Sequence, residues 1–210
     1  MPVLAALTAA IEAGHRAPAI RLTQEAIDEG RDPRAILAAM TAAMDEVGAR
    51  FQRHETWVPE MLVSARAMKE SMALLEPILT ASGIRPLHTA VVGTIEGDLH
   101  DIGKNLVAMM WKGANIAVVD LGTNVSPARF AAAAQEHGAR IVGVSALLMT
   151  TMVGMGEVVT AVRAAGLDSV KVIVGGAPVT AEFAASIGAD AFAPDAAAAV
   201  DVARQLVGMA

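Results

Sequence analysis

The chain has no cysteine and no tyrosine among its 210 residues, and aromatic side chains make up only 3% of it. The missing thiols exclude disulfide scaffolds, zinc ribbons, thiolate-held clusters and cysteine nucleophiles, and they permit a reducing compartment. Soft-metal chemistry is left to histidine or to a prosthetic group. With four Phe and two Trp, the core has to be built from Ala, Val, Leu, Ile and Met, and each aromatic residue needs its own explanation. An excess of positive charge is also lacking. The formal net charge is −6, with 9 basic and 11 acidic residues up to Pro86 and 7 basic and 11 acidic after it. That speaks against a nucleic-acid partner, which selects a basic face. The longest stretch without a charge, Ile141 to Gly156, has 16 residues and includes Gly143, Ser145, Thr150, Thr151 and Gly154. It is too short and too polar to span a bilayer. The opening segment MPVLAALTAAIEAGH carries no positive residue ahead of its apolar run, so no signal peptide is expected, and the expected location is the cytoplasm.

What is present is apolar surface: hydrophobic residues are 54% of the chain and charged residues 18%, enough to bury a core. The texture changes at Ser82-Gly83-Ile84-Arg85-Pro86, where Gly and Pro punctuate two periodicities. Before that point apolar residues recur at helical spacing in four segments, the third opening on Asp32-Pro33 and the fourth near Trp57-Val58-Pro59. After it, short apolar runs alternate with Ala-rich helical stretches. Strands are expected at 89–93, 116–119, 141–144, 172–174 and 191–193, with helices at 102–112, 127–137, 152–165, 181–187 and 196–207. Five apolar strands separated by helices predict a parallel sheet wound on both faces, because parallel neighbours require crossovers. The expected division is a four-helix region, 1–86, and an α/β domain, 87–210. Ligands of such sheets sit beyond the carboxyl ends of the strands.

The loop after the first strand reads Gly93-Thr94-Ile95-Glu96-Gly97-Asp98-Leu99-His100-Asp101-Ile102-Gly103-Lys104-Asn105. It has neither the glycine spacing of a dinucleotide fingerprint nor that of a P-loop. Polar residues this dense also suit a solvated turn that caps the next helix. A hard-metal site would need more ligands than Asp98, His100 and Asp101, and the other histidines at 15, 54, 88 and 137 stand far off without ligand spacing. A single imidazole beside a carboxylate suits an axial ligand of a metal whose other positions a macrocycle fills. Asp98 would then accept a hydrogen bond from the far ring nitrogen, fixing the tautomer and raising ligand basicity.

Three separated motifs now carry a resemblance. Asp98-Leu99-His100-Asp101-Ile102-Gly103 matches Asp-x-His-x-x-Gly, Ser145-Ala146-Leu147 matches Ser-x-Leu, and Gly175-Gly176 matches Gly-Gly. Each is weak alone, but in this order, each after its expected strand, they resemble the cobalamin-binding corrinoid proteins of methyltransferase systems. The chain is similar to the cap and cobalamin modules of methionine synthase. The likeness extends over the first half, through Met44-Asp45-Glu46-Val47-Gly48 to Phe51, Trp57-Val58-Pro59-Glu60 and Ala65-Arg66-Ala67-Met68-Lys69. It implies a helical cap bundle, 1–86, followed by a flavodoxin-like, Rossmann-type five-stranded cobalamin domain, 87–210.

The resemblance implies residue roles. His100 would replace the cofactor's own base as lower axial ligand of cobalt, with Asp98 on its other nitrogen and a hydroxyl completing the relay. That hydroxyl belongs to Thr151 by position or to its neighbour Thr150. Asp101, Ile102 and Gly103 complete the first motif. Ser145, Leu147, Gly175 and Gly176 would line the channel for the displaced nucleotide tail, the glycines sparing a Cβ where a ring or phosphate approaches the backbone. Phe51, Trp57, Val58 and Met61 resemble an apolar lid over the reactive face, whereas Trp111, Phe130 and Met149, Met152 and Met155 read as packing. The methyl group leaves cobalt as a cation equivalent, so the lid must exclude water and oxidant and then move, on a hinge at Ser82–Pro86. The implied function is a methyl carrier between partner methyltransferases, with a reductive activator as a further candidate partner, no nucleic acid and no membrane, and no turnover expected of the chain alone. The alternatives are the cobalamin component of a split methionine synthase, a mutase subunit, and a cobalamin-dependent regulator, which the acidic first half disfavours.

Overall fold

The computed structural model describes residues 3–209. The chain forms two compact units, one ending at Pro86 and taking in Gly113–Asn115, the other comprising Leu87–Lys112 and the chain from Ile116 onward.

The first unit is built from α1 (Val3–Glu12), α2 (Arg16–Asp28), α3 (Pro33–Gln52) and α4 (Val58–Ala81). Each helix packs on two neighbours, α1 and α4 each against α2 and α3, so each turns one apolar stripe inward, as the spacing predicts. Leu7, Ile11, Ile36, Met40, Met44 and Leu75 are fully buried. The helix starts follow local chemistry. The Asp32 side chain accepts from the Arg34 amide at 2.9 Å with Pro33 at the first helical position, and Glu60 reaches back to the Trp57 amide at 3.1 Å. Polar cross-links are few and directed: Ser64 donates to the Glu12 carbonyl, Thr8 to the Ala39 carbonyl, and Arg50 pairs with Glu12 and Glu46.

The second unit is a parallel sheet of β1 (Thr89–Thr94), β2 (Ala117–Asp120), β3 (Ile141–Ser145), β4 (Lys171–Gly175) and β5 (Ala191–Ala193), in the order β2-β1-β3-β4-β5. Its helices are α5 (Ile102–Gly113), α6 (Pro127–Glu136), α7 (Met149–Met152), α8 (Met155–Ala164), α9 (Ala181–Ser186) and α10 (Ala196–Val207). The order reverses between β1 and β3, which opens a crevice at their carboxyl ends. Two aromatics fill the layers, and strand glycines make room for them. A Cβ on Gly143 would meet the Trp111 ring at 2.6 Å, and one on Gly93 would meet the Phe130 ring at 2.8 Å. Trp111 also donates to the Ala199 carbonyl, 2.9 Å away on α10. Trp111 and Phe130 are therefore packing residues.

Strand positions agree with the sequence pattern to within a residue or two. The helix expected over 152–165 is instead two pieces, α7 and α8, separated at Val153-Gly154. Gly154 packs beside Ile95 at this break. Burial corrects the reading of the methionines. Met155 is buried and Met152 packs at the core's edge, but Met149 is 72% exposed and is not core.

Candidate functional site

The carboxyl ends of β1 and β3 carry two loops that meet at one carboxylate. Asp98 lies in the loop between β1 and α5 and is completely buried. Its Oδ1 accepts from the His100 amide at 3.0 Å and faces His100 Nδ1 at 2.7 Å. Its Oδ2 accepts from the Leu147 amide at 2.8 Å, the Leu148 amide at 3.3 Å and the Thr151 hydroxyl at 2.9 Å. Burial pushes the carboxyl upward, but the Leu147 amide, the His100 amide and ring, and the Thr151 hydroxyl outweigh it. Asp98 is held well below the usual carboxylate range.

An ionised Asp98 only accepts, so the proton on the neutral imidazole sits on Nδ1 and Nε2 keeps its lone pair. The His100 side chain is 51% exposed. In the two segments that meet at Asp98, Leu99, Ile102, Leu147, Leu148, Met149 and Val153 are exposed apolar residues. Among the described residues no three acidic or histidine side chains could hold a bare metal ion. The donor set is one imidazole with a buried anion behind it.

The structure brings Asp98, His100 and Thr151 into direct hydrogen-bonded sequence, and it is Thr151, not the exposed Thr150, that reaches Asp98. Asp101 accepts from the Asn105 side chain at 3.0 Å on the first turn of α5. Ser145 is half-buried and in register with Thr94 and Gly175, and Leu147 is exposed. The motif glycines fall into two groups. A Cβ on Gly176, whose φ is +129°, would overlap the Ala146 carbonyl, and one on Gly175 would stand 2.8 Å from the Ala193 carbonyl. Those glycines are required by the protein's own backbone, a reason different from the ligand approach expected of them. Around Gly103, in contrast, a Cβ would meet nothing within 4 Å. The fold does not need a glycine there. Phe51, Trp57, Val58 and Met61 belong to the helical unit. Trp57 is 64% exposed, Phe51 and Val58 are half-buried, and Met61 is fully buried.

Several supporting residues had no sequence signal. Thr94 donates to the His100 carbonyl at 2.9 Å. Asn124, at φ +55°, donates its amide to the Asp98 carbonyl and accepts from the Gly97 amide at 2.8 Å. Lys104 is buried on Asp120, with both carboxylate oxygens at 2.6 Å. Only the position of Asn124 in a loop at the same sheet edge could have drawn attention to it.

A half-exposed imidazole on a buried carboxylate thus stands at the switch point of a flavodoxin-like sheet, the place where ligands of such sheets bind. The B12 binding domain family matches residues 88–203, and a second B12 binding domain family matches residues 3–76. The chain belongs to the B12-binding corrinoid proteins. It is 38% identical to a corrinoid protein of Desulfitobacterium hafniense over 99% of both chains. It is 39% identical to dimethylamine corrinoid protein 3 of Methanosarcina acetivorans over 87% of this chain and 88% of that one. Among solved structures it is similar to the methanol:cobalamin methyltransferase complex of Methanosarcina barkeri, with TM-score 0.88 and 26% identity over 99% of this chain and 80% of that one. A cobalamin-binding protein from Desulfitobacterium hafniense matches with TM-score 0.82 and 29% identity over 98% of both chains.

Proposed function

We propose that this protein is a corrinoid methyl carrier, which binds cobalamin against the sheet unit with His100 as lower axial ligand and passes a methyl group between partner methyltransferases. The observation that carries the reading is the state of His100. Its Nδ1 is committed to a buried, ionised Asp98, which leaves Nε2 free on a half-exposed ring among apolar neighbours. A turn that only capped α5 would need no buried carboxylate behind its histidine. The open space at Gly103 supports the same reading. Corrinoid relatives named for methylamine systems, and the likeness to a methanol:cobalamin methyltransferase complex, support the methyl-transfer role and the partners.

Bound cobalamin supplies a metal that accepts and gives up a methyl cation equivalent. His100 holds it through Nε2, and Asp98 keeps the proton on Nδ1 and strengthens the ring as a donor. Thr151 and the Leu147 and Leu148 amides hold Asp98 as an anion. A proton arriving at Nε2 would make an imidazolium whose charge Asp98 would balance. Asp101, Ile102 and Gly103 flank the ligand, and Ser145, Leu147, Thr150, Gly175 and Gly176 form the walls for the nucleotide tail. We assign residues 1–86 the role of cap and residues 87–210 that of cofactor domain, with Phe51, Trp57, Val58 and Met61 as the lid residues. No helix among the described residues is long and apolar enough to cross a membrane. A reduced metal centre suits a reducing compartment, and we assign the protein to the cytoplasm; recovery in the membrane pellet of fractionated cells would overturn that assignment.

The ligation is tested with His100→Ala. The variant is expected to retain cobalamin through the tail while its cobalt(II) form loses the nitrogen coupling of a protein imidazole in the EPR spectrum. Undiminished protein nitrogen coupling would remove His100 from its role.

A further inference from the structure

The two bonds by which Asp98 holds His100 end on the same atom. The backbone amide and ring Nδ1 of His100 both reach Asp98 Oδ1, at 3.0 and 2.7 Å. Contacts that converge on one oxygen fix the ring's tautomer, and neither of them holds the carbonyl end of the residue. A third contact stands apart from them. The Thr94 hydroxyl donates to the His100 carbonyl at 2.9 Å, on the other side of the residue from its amide.

Thr94 is a fixed point. It ends β1, and its side chain is fully buried. Its amide donates to the Gly122 carbonyl at 3.0 Å and its carbonyl accepts from the Val125 amide at 2.9 Å. On the other side Ile95 donates to the Ser145 carbonyl at 3.0 Å. The residue is thus tied to the β2 loop and to β3 at once. Packing does not explain its hydroxyl, because valine has the same shape and favours strands at least as well. What valine lacks is the bond to His100, and a buried hydroxyl without a partner would be costly.

We infer that Thr94 is a positioning residue for the axial ligand: through the His100 carbonyl it sets the height of His100, and hence of Nε2, above the sheet. This rests on His100 being the ligand, as proposed above. Asp98 and Thr151 set which nitrogen binds, and Thr94 sets where that nitrogen stands. The relevant tolerance is small, since ligand geometry looser by about 1 Å is enough to weaken a site.

The test uses the full chain carrying Thr94→Val or Thr94→Ser, loaded with cobalamin and reduced to the cobalt(II) state. The expected result is that Thr94→Val keeps its cobalamin but loses at least about threefold of the imidazole-coordinated fraction in the EPR spectrum, the scale of one modest hydrogen bond. Thr94→Ser, which keeps the hydroxyl, restores the wild-type fraction. Full imidazole coordination in Thr94→Val, or a defect in Thr94→Ser equal to that of Thr94→Val, overturns the inference. Should Thr94→Val fail to fold or to retain cobalamin, Thr94→Ala removes the hydroxyl without that methyl and is read the same way. If the wild-type protein itself shows no imidazole coupling, the ligand reading fails instead. Amide hydrogen exchange of the cofactor-free protein then decides for Thr94: faster exchange at His100 in the hydroxyl-free variant upholds the positioning contact, and unchanged exchange overturns it.

Discussion

At the scale of single residues, Asp98 is where the two site loops are joined, because five donors from two segments of chain end on its two oxygens. Its removal would take the acceptor from the His100, Leu147 and Leu148 amides, while the Thr151 hydroxyl keeps the Leu148 carbonyl at 3.0 Å, and an amide left unpaired costs more than the net value of its bond. Asp98→Ala is expected to lower the stability of the cofactor-free protein by about 2–4 kcal/mol at neutral pH, measured by urea unfolding. The carboxyl is depressed in the folded state, so its stabilisation is fully present above the unfolded Asp value of about 3.9 and fades as pH falls through the lower, folded value. The loss caused by Asp98→Ala should therefore shrink as the medium is acidified below about pH 4. A variant with the wild-type midpoint at neutral pH would contradict this account. The pairing of Asp98 with His100 was legible in their spacing of two. The Leu147 and Leu148 amides were not, since a backbone donor has no residue type to read.

At the scale of elements, the turn after β4 and the first turn of α5 make opposite demands on their glycines. Gly176 crosses so close to Ala146 that any Cβ collides with a carbonyl, in a backbone conformation that L side chains rarely adopt. Gly176→Ala is expected to destabilise the cofactor-free protein by more than about 3 kcal/mol. Gly103 lies in an exposed helical turn with open space around its missing Cβ. Gly103→Ala should leave the cofactor-free protein as stable or more stable, by up to about 1 kcal/mol, while weakening cobalamin retention in equilibrium dialysis. Stability losses of equal size in the two variants would show that the fold, not the ligand, needs Gly103. Both glycines belong to recognisable motifs, and nothing in the motifs separates a glycine that serves the backbone from one beside open space. The break between α7 and α8 was hidden for a related reason. The periodicity of Met152, Met155, Val158, Val159 and Val162 reads as one helix, whereas the structure interrupts it at Val153-Gly154.

At the scale of the whole molecule, the proposed carrier role predicts dependence on other proteins. The purified protein with reduced cobalamin is expected to show no methyl transfer from small donors to thiols by itself. A cognate methyltransferase should methylate the cobalt, seen as a shift in the absorption spectrum, and Trp57→Ala should shorten the lifetime of the reduced state if the helical unit acts as a lid. Rapid transfer by the isolated protein would demand an active site of its own and would end the carrier reading.

The amino-acid sequence by itself determined the helical first half, the five parallel strands and the loop in which His100 stands. Those features come from local regularities: apolar spacing along a helix, unbroken apolar runs in buried strands, and a polar cluster at a strand end. Only the tertiary structure decided that Thr151 rather than Thr150 meets Asp98, that Thr94 holds the His100 carbonyl, and that Gly175 and Gly176 pass too close to Ala193 and Ala146 to carry a Cβ. The physical reason is distance along the chain. Asp98 and Thr151 are 53 residues apart, and adjacent residues of a helix such as α7 point about 100° apart, so only one of the two hydroxyls can face the carboxylate. Periodicity along the chain cannot say which one, whereas the pairing of β1 with β3, which brings the two loops together, does.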